Sequence, residues 1–585
     1  MTAYESSHRK SSDNLPGATS MTGGEAVVKS LEAANVSVVF GIPGSHNLAI
    51  YDALAKSENI RHVLARHEQG AGFMADGYAR ASGNTGVCLT TTGPAALNTI
   101  SPLGTAYNDS LPVLLVASQN PTKYIGQDKG LIHEIGNQLD CFEPITVWRG
   151  RASSVDSIPK TIKDAFTHMR NGRHRPAVIE MPTDLLAEVD MVRIPNSLTS
   201  PSEKQAIKDL GTASDLLASA KRPAIWAGGG VISSEASLDL VKLAELIQAP
   251  VFTTVLGKGV IPGDHPLSAG SAILHPTARE FLIGSDAVHR NSNQGSENLK
   301  GCDLLLAIGT RFTDEETDSW TLQLPKTLIH VDVDPEEFGR NYLPTLAVEG
   351  DAKEVIRELT SRLNKRTLRG DKNRVAEIRY LREAIRNDCL KRAPEGVNLI
   401  DCLQAALPRE AILVSDLTVA AYWCRRLLDV YGPRNNLYPW GFGTLGYALP
   451  AAIGAKAARP DAPVVALVGD GGFLFNCQEL ATAVQHDLPI VILVFNDNAY
   501  GVLKPQQQAL FGRTMGVDLL NPDFLKLAES FGINAQRVDT FPQLEPAITS
   551  AIKSNQTSLI EVTMPVPWPV MEPSARLFDQ SKGDS

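Results

Sequence analysis

The sequence predicts an α/β protein built from three successive doubly wound parallel-sheet domains, and three observations carry that prediction. Strand-sized apolar runs alternate with helix-period segments along almost the whole chain. The chain has 585 residues, well past the size at which a single hydrophobic core stops growing. The alternation is also interrupted twice, by a Pro-, Ser- and Thr-containing stretch at 189–202 and by a charged helical segment at 353–392.

The first domain is expected over 21–190. Its strand candidates are Val36–Phe40, Ile60–Ala65, Val87–Thr90, Val113–Ala117 and Ala177–Glu180, separated by helical patterns such as Gly24–Ala34 and Gln69–Ala81. The stretch 189–202, with Pro195 and Pro201, reads as a linker. A middle domain over 203–365 carries Ala224–Ala227, Val251–Thr254, Leu304–Ile308 and Leu328–Val333. The third domain, 395–570, carries Ile412–Ser415, Val464–Val468, Ile490–Phe495 and Leu559–Val562. Residues 1–20 are polar and read as a disordered arm, and 571–585 as a tail.

Composition excludes several classes. Lys and Arg total 55 against 65 Asp and Glu, a formal net charge of −10, and no dense basic run could track a phosphate backbone, so no nucleic acid is expected as a partner. No apolar run reaches membrane-spanning length, so no membrane partner is expected either. The seven cysteines are scattered without a C-x-x-C pair, which argues against a zinc site or a disulfide framework and for a reducing compartment. With an N-terminus that is neither an apolar signal core nor acid-poor, the expected location is cytoplasmic.

The most informative segment is Gly469-Asp470-Gly471-Gly472, which follows the apolar run Val464–Val468 and precedes a helical pattern at Gln478–Gln485. The next strand, Ile490–Phe495, ends in Asn496-Asp497-Asn498. One strand–helix–strand passage therefore separates Asp470 from Asp497. In a parallel sheet this puts both carboxylates at the carboxyl ends of neighbouring strands, where open α/β sheets bind ligands. Two such carboxylates suit magnesium, which takes one or two of them together with phosphate oxygens, and the glycines let backbone N–H groups approach a diphosphate.

A second segment, Arg66-His67-Glu68, opens an R-H-E-x-x-A-x-x-M-A-x-G-Y-A-R-x-x-G pattern that runs to Gly83. A third, Gly441-Phe442-Gly443-Thr444-Leu445-Gly446, matches the G-x-G-x-x-G dinucleotide fingerprint. That fingerprint belongs at the first β–α turn of its domain, and Asn436–Trp440 is not a convincing buried strand before it.

Together these segments resemble the thiamine diphosphate enzymes, nearest the acetohydroxyacid synthase (acetolactate synthase) large-subunit group and related 2-oxo acid decarboxylases, over almost the whole chain after the arm. The resemblance implies Asp470, Asp497 and the Ala499 carbonyl as magnesium ligands, with Gly469, Gly471 and Gly472 around the diphosphate. It implies Glu68 as the carboxyl group at N1′ of the aminopyrimidine, Leu445 as the wedge that bends the cofactor, and the Gly443 carbonyl as partner of the 4′-amino group. The family pattern has a second Asn where this chain has Asp497, which adds one negative charge and keeps a hard oxygen donor.

Two histidines are expected at the substrate. His46 follows the first strand in Gly41-Ile42-Pro43-Gly44-Ser45-His46, a loop similar to that of benzaldehyde lyase, and His133 matches a position where pyruvate decarboxylase carries a histidine. Where pyruvate decarboxylase has a catalytic glutamate this chain has Leu503, which is more like the synthases. The expected activity is thus thiamine diphosphate- and magnesium-dependent 2-oxo acid decarboxylation with ligation to a second carbonyl compound. A decarboxylase that releases an aldehyde, such as the 5-guanidino-2-oxopentanoate enzyme, is the alternative. The family also implies a homodimer or homotetramer with sites at the subunit interface. The resemblance also allows FAD in the middle domain, as several synthases of the group hold it, but neither Gly228–Gly230 nor Gly309-Thr310-Arg311 forms a clear flavin motif.

Overall fold

The computed structural model describes residues 17–198, 207–284, 300–371 and 373–570. Most of the expected arm, the tail 571–585 and the last residues of the expected linker lie outside the described residues.

Among the described residues, three six-stranded sheets, parallel throughout, and one two-stranded antiparallel sheet form the protein. The N-terminal sheet contains β1 (Val38–Gly41), β2 (Arg61–Leu64), β3 (Gly86–Thr90), β4 (Val113–Gln119), β5 (Trp148–Arg151) and β6 (Ala177–Pro182) in the order β2-β1-β3-β4-β6-β5. Strands β1, β3, β4 and β6 are buried along their whole length, as expected of strands covered by helices on both faces. The first helix, Gly23–Ala33, starts at a reciprocal cap in which the Thr22 hydroxyl accepts from the Glu25 N–H and the Glu25 carboxylate accepts from the Thr22 N–H.

The middle sheet contains β7 (Pro223–Ala227), β8 (Val251–Thr253), β9 (Ser268–Gly270), β10 (Leu304–Ile308), β11 (Thr327–Asp332) and β12 (Leu346–Glu349) in the order β9-β8-β7-β10-β11-β12. The C-terminal sheet contains β13 (Ile412–Ser415), β14 (Asn436–Leu437), β15 (Val464–Gly469), β16 (Val491–Phe495), β17 (Asn534–Val538) and β18 (Ser558–Val562) in the order β14-β13-β15-β16-β18-β17. The first and third sheets thus share one topology, with strand order reversing between β1 and β3 and between β13 and β15. Such reversals open a crevice at the carboxyl ends of the strands.

The chain divides into two compact units, the first carrying the N-terminal sheet and the second the other two. In the second unit one apolar core runs from the middle sheet into the C-terminal sheet.

Two expectations are corrected. Thr19 and Ser20, assigned to the arm, begin a strand, Thr19–Thr22, that pairs antiparallel with Val189–Val192, so the start of the expected linker is also a strand. The helical pattern expected at 478–485 is present as a 3₁₀ turn, Cys477–Glu479, and the helix Leu480–Gln485, and a further helix, Asp470–Asn476, precedes it directly after Gly469.

Candidate functional site

Asp416 follows β13, Asp470 follows β15 and Asp497 lies just past β16, so three carboxylates stand at the carboxyl edge of the C-terminal sheet beside its reversal point. They line one cavity of about 640 Å³. Gly443, Leu445, Gly469, Asp470, Gly471, Gly472, Asp497 and Ala499, the residues that the resemblance assigns to the cofactor, all line the same cavity, and so does Leu503.

Asp470 is only 2 % exposed. One of its oxygens accepts from the Gly471 N–H at 2.8 Å, and the other accepts from the Ala499 N–H at 3.2 Å and from Asn521 Nδ2 at 2.7 Å. Asp497 Oδ1 accepts from the same Ala499 N–H at 3.2 Å. Two carboxylates therefore converge on one backbone donor. Burial pushes the Asp470 carboxyl above the usual range, and burial followed by the nearby Asp470 charge pushes Asp497 up.

A divalent cation would reverse that penalty. The donor set fits magnesium, since two hard carboxylates meet beside Ala499 and a buried Asn521 Oδ1, which has no partner among the described residues, could accept from a metal-bound water. No group of three or more His, Cys, Asp or Glu side chains converges among the described residues, so a metal here would rely on phosphate, carbonyl and water oxygens for the rest of its shell. Asn521 was not foreseen from the sequence, because it lies beyond the motif in a loop.

Asp416 was also missed, although its place directly after an apolar strand is the same signal that drew attention to Asp470. It is fully buried, and no Lys, Arg or His pairs with it among the described residues. Its oxygens accept from the Leu417 N–H at 3.0 Å and from the Gly446 N–H at 2.9 Å, and burial pushes its carboxyl up to about 7. Asn476 Nδ2 donates to the Gly446 carbonyl at 2.7 Å. The turn that carries Leu445 is thus gripped on both sides of Gly446, whose φ of 78° suits a residue without Cβ.

In the N-terminal unit the structure brings His46 and His133 together, with ring centroids 5.5 Å apart. The Nδ1 atoms of both are buried and have no hydrogen-bond partner among the described residues. Burial lowers the His46 pKa, His133 lowers it further, and a hydrogen bond with Asn120 opposes them.

The loop beneath is held by a network that sequence reasoning did not find. Gln138 Oε1 accepts from the Gly93 N–H at 2.7 Å and from the Thr92 hydroxyl at 2.9 Å, and Gln138 Nε2 donates to Glu180 Oε1 at 3.0 Å. Arg151 Nε donates to the other Glu180 oxygen at 2.6 Å. Gly93 has φ 64°, and a Cβ there would stand 2.5 Å from the His133 carbonyl oxygen. Glu68 opens the helix Glu68–Ser82, is half-buried, and accepts from Asn98 Nδ2 at 2.9 Å.

The middle sheet reverses its order between β7 and β10, and Gly228–Gly230 and Gly309-Thr310-Arg311 follow those two strands. However, the Gly228 N–H donates to the Ile308 carbonyl at 2.9 Å and the Gly230 N–H to the Gly309 carbonyl at 3.1 Å. These donors face protein rather than a diphosphate. The Gly228 and Gly230 N–H groups are thus not free for a flavin diphosphate.

Three family models match the chain: the thiamine pyrophosphate enzyme N-terminal TPP binding domain over residues 21–141, the central domain over 210–359, and the C-terminal TPP binding domain over 416–562. A probable acetolactate synthase large subunit of Methanocaldococcus jannaschii is 37% identical over 584 residues, covering 95% of this chain and 94% of its own length. A probable 2-ketoarginine decarboxylase of Pseudomonas aeruginosa is 37% identical over 552 residues, covering 93% and 94%. An acetolactate synthase of Mycobacterium leprae is 34% identical over 558 residues, covering 92% and 86%.

Proposed function

This chain belongs to the thiamine pyrophosphate enzymes and is a thiamine diphosphate-dependent enzyme of the lyase and transferase kind, and within that family we propose that it decarboxylates a 2-oxo acid and ligates the remaining fragment to a second carbonyl compound. Thiamine diphosphate, when bound, supplies the electron sink that lets carbon dioxide leave. Asp470, Asp497 and the Ala499 carbonyl would hold magnesium, and Gly469, Gly471 and Gly472 would lie along the diphosphate. Leu445 would wedge the cofactor into its bent form, with the Gly443 carbonyl accepting from the 4′-amino group. Glu68 would hold the proton at N1′. His46, kept neutral at pH 7 by burial and by His133, would meet the substrate as a hydrogen-bond partner rather than as a cation.

The observation that carries ligation over simple release is Leu503 on the wall of the cavity. The acids lining that cavity are Asp416, Asp470 and Asp497, and each is already engaged by backbone N–H groups. An apolar side chain at Leu503 offers no proton at that point of the wall, which would slow protonation of the decarboxylated fragment and leave time for a second carbonyl compound to react. The equal identity to a probable 2-ketoarginine decarboxylase favours the other reading, in which an aldehyde is released. Incubation with 2-oxo acids singly and in pairs, with mass detection, separates the two. Products equal to both substrates less one carbon dioxide support ligation, and accumulation of aldehyde alone overturns it.

A further inference from the structure

A second cavity, of about 540 Å³, lies in the second unit and shares no lining residue with the cofactor cleft. Its walls come from β9 and Ser271, the helices Arg374–Arg392 and Pro394–Ala406, and the end of the helix Val419–Leu427 with the two residues after it. Lys258 lines it and is only 6 % exposed. The Lys258 ammonium donates to Ser271 Oγ at 3.0 Å, and no carboxylate lies within ion-pair distance of it among the described residues. Ser271 Oγ in turn donates to the Arg425 carbonyl at 2.7 Å, so it adds no negative charge.

The carboxylates around the cavity are mostly committed elsewhere. Asp429 accepts from Arg382 Nη2 at both oxygens, at 2.8 and 2.7 Å, Asp401 pairs with Arg386 at 2.7 Å, and Asp264 pairs with Arg409 at 2.7 Å. Glu383 lines the cavity from an exposed position. Arg379, also exposed on the lining, has no ion-pair partner among the described residues. A buried ammonium with two unused N–H groups and no counter-charge bears a desolvation penalty that an anion would offset. Burial accordingly pushes the Lys258 pKa down to about 8, with Asp429 opposing and Arg426 and Arg382 adding to the shift.

We propose that this cavity binds a small oxyanion, a carboxylate or a phosphate group, with the Lys258 ammonium as its charge partner and Arg379 at its mouth. Val375, Ile378 and Ile385 give the rest of the occupant an apolar wall, which suits a small organic acid or phosphate ester.

The test is titration calorimetry of the full-length, cofactor-loaded protein with acetate and with inorganic phosphate. At least one of the two should bind saturably, and which one binds identifies the anion class. Lys258→Met should weaken that binding at least ~10-fold, the loss of a charged hydrogen bond. Lys258→Arg should retain it, and Arg379→Ala should weaken it roughly two- to five-fold. Thiamine diphosphate affinity should be unchanged in all three. No saturable heat from either anion, or binding to Lys258→Met as tight as to wild type, overturns the proposal. Should Lys258→Met fail to fold, the other two variants decide, and Arg379→Ala binding equal to wild type then overturns it.

Discussion

Asp416→Asn should change how stability depends on pH, by an amount that follows from the burial of one carboxyl. In the folded protein its pKa stands at about 7, against 3.8 for the ordinary group. Between those values the native state holds a proton that the unfolded chain has lost, so stability falls as pH rises through that window and levels off above about pH 7. Each pH unit is worth ~1.4 kcal/mol. From about pH 5 to about pH 7 wild type should therefore lose about 2 kcal/mol that the variant does not lose. The asparagine still accepts one N–H, from Gly446 or Leu417, and leaves the other facing its NH₂ group, which adds a pH-independent cost of about 1–3 kcal/mol. Urea unfolding of both cofactor-free proteins from about pH 5 to about pH 8 reads the difference. If the two stability curves run parallel, Asp416 is not a buried carboxyl of raised pKa.

Glu68→Gln keeps an acceptor for Asn98 but cannot share a proton with N1′, so turnover should fall by ~10²–10⁴ with cofactor binding nearly intact; a wild-type rate in saturating cofactor would remove Glu68 from the mechanism. Asp470→Ala removes a proposed magnesium ligand and unpairs the Gly471 N–H, while the Ala499 N–H keeps Asp497 and the Asn521 amide keeps Asn496, so it should purify largely without cofactor; wild-type affinity by calorimetry would refute the metal assignment. A homodimer with its sites at the subunit interface, as the family resemblance implies, would bring Glu68 and Asp470 to one cofactor from different copies. Mixing the two inactive variants should then restore roughly a quarter of wild-type activity after random exchange, and no recovery after demonstrated exchange would mean that each chain builds its own site.

How much of this was legible in the sequence depends on burial. Strands covered on both faces, such as Leu304–Ile308 and Val464–Gly469, are continuous apolar runs and stand out. Trp148–Arg151, Ser268–Gly270, Leu346–Glu349 and Asn534–Val538 were not visible, and all four are sheet edges. Half in solvent or only three residues long, they have no apolar run to detect; Asn534–Val538 has a single buried residue.

The site divides along a similar line. Asp470 and Asp497 were found because a strand, a glycine turn and another strand fix their spacing in the chain. Asp416, Asn521, Gln138 and Glu180 come from separate elements and meet only through tertiary packing. The pairing of His46 with His133 was not legible either, since sequence reasoning put each at the substrate without placing the two rings side by side.

The most direct test of the central claim uses a 2-oxo acid labelled with carbon-13 at its carboxyl group, with and without thiamine diphosphate and magnesium. Release of the donor's label as carbon dioxide is expected only when both are present, with the donor's remaining carbons recovered in a ligated product that keeps the acceptor's carboxyl group. Retention of the label in every 2-oxo acid tried, or release that needs neither thiamine diphosphate nor magnesium, would contradict it.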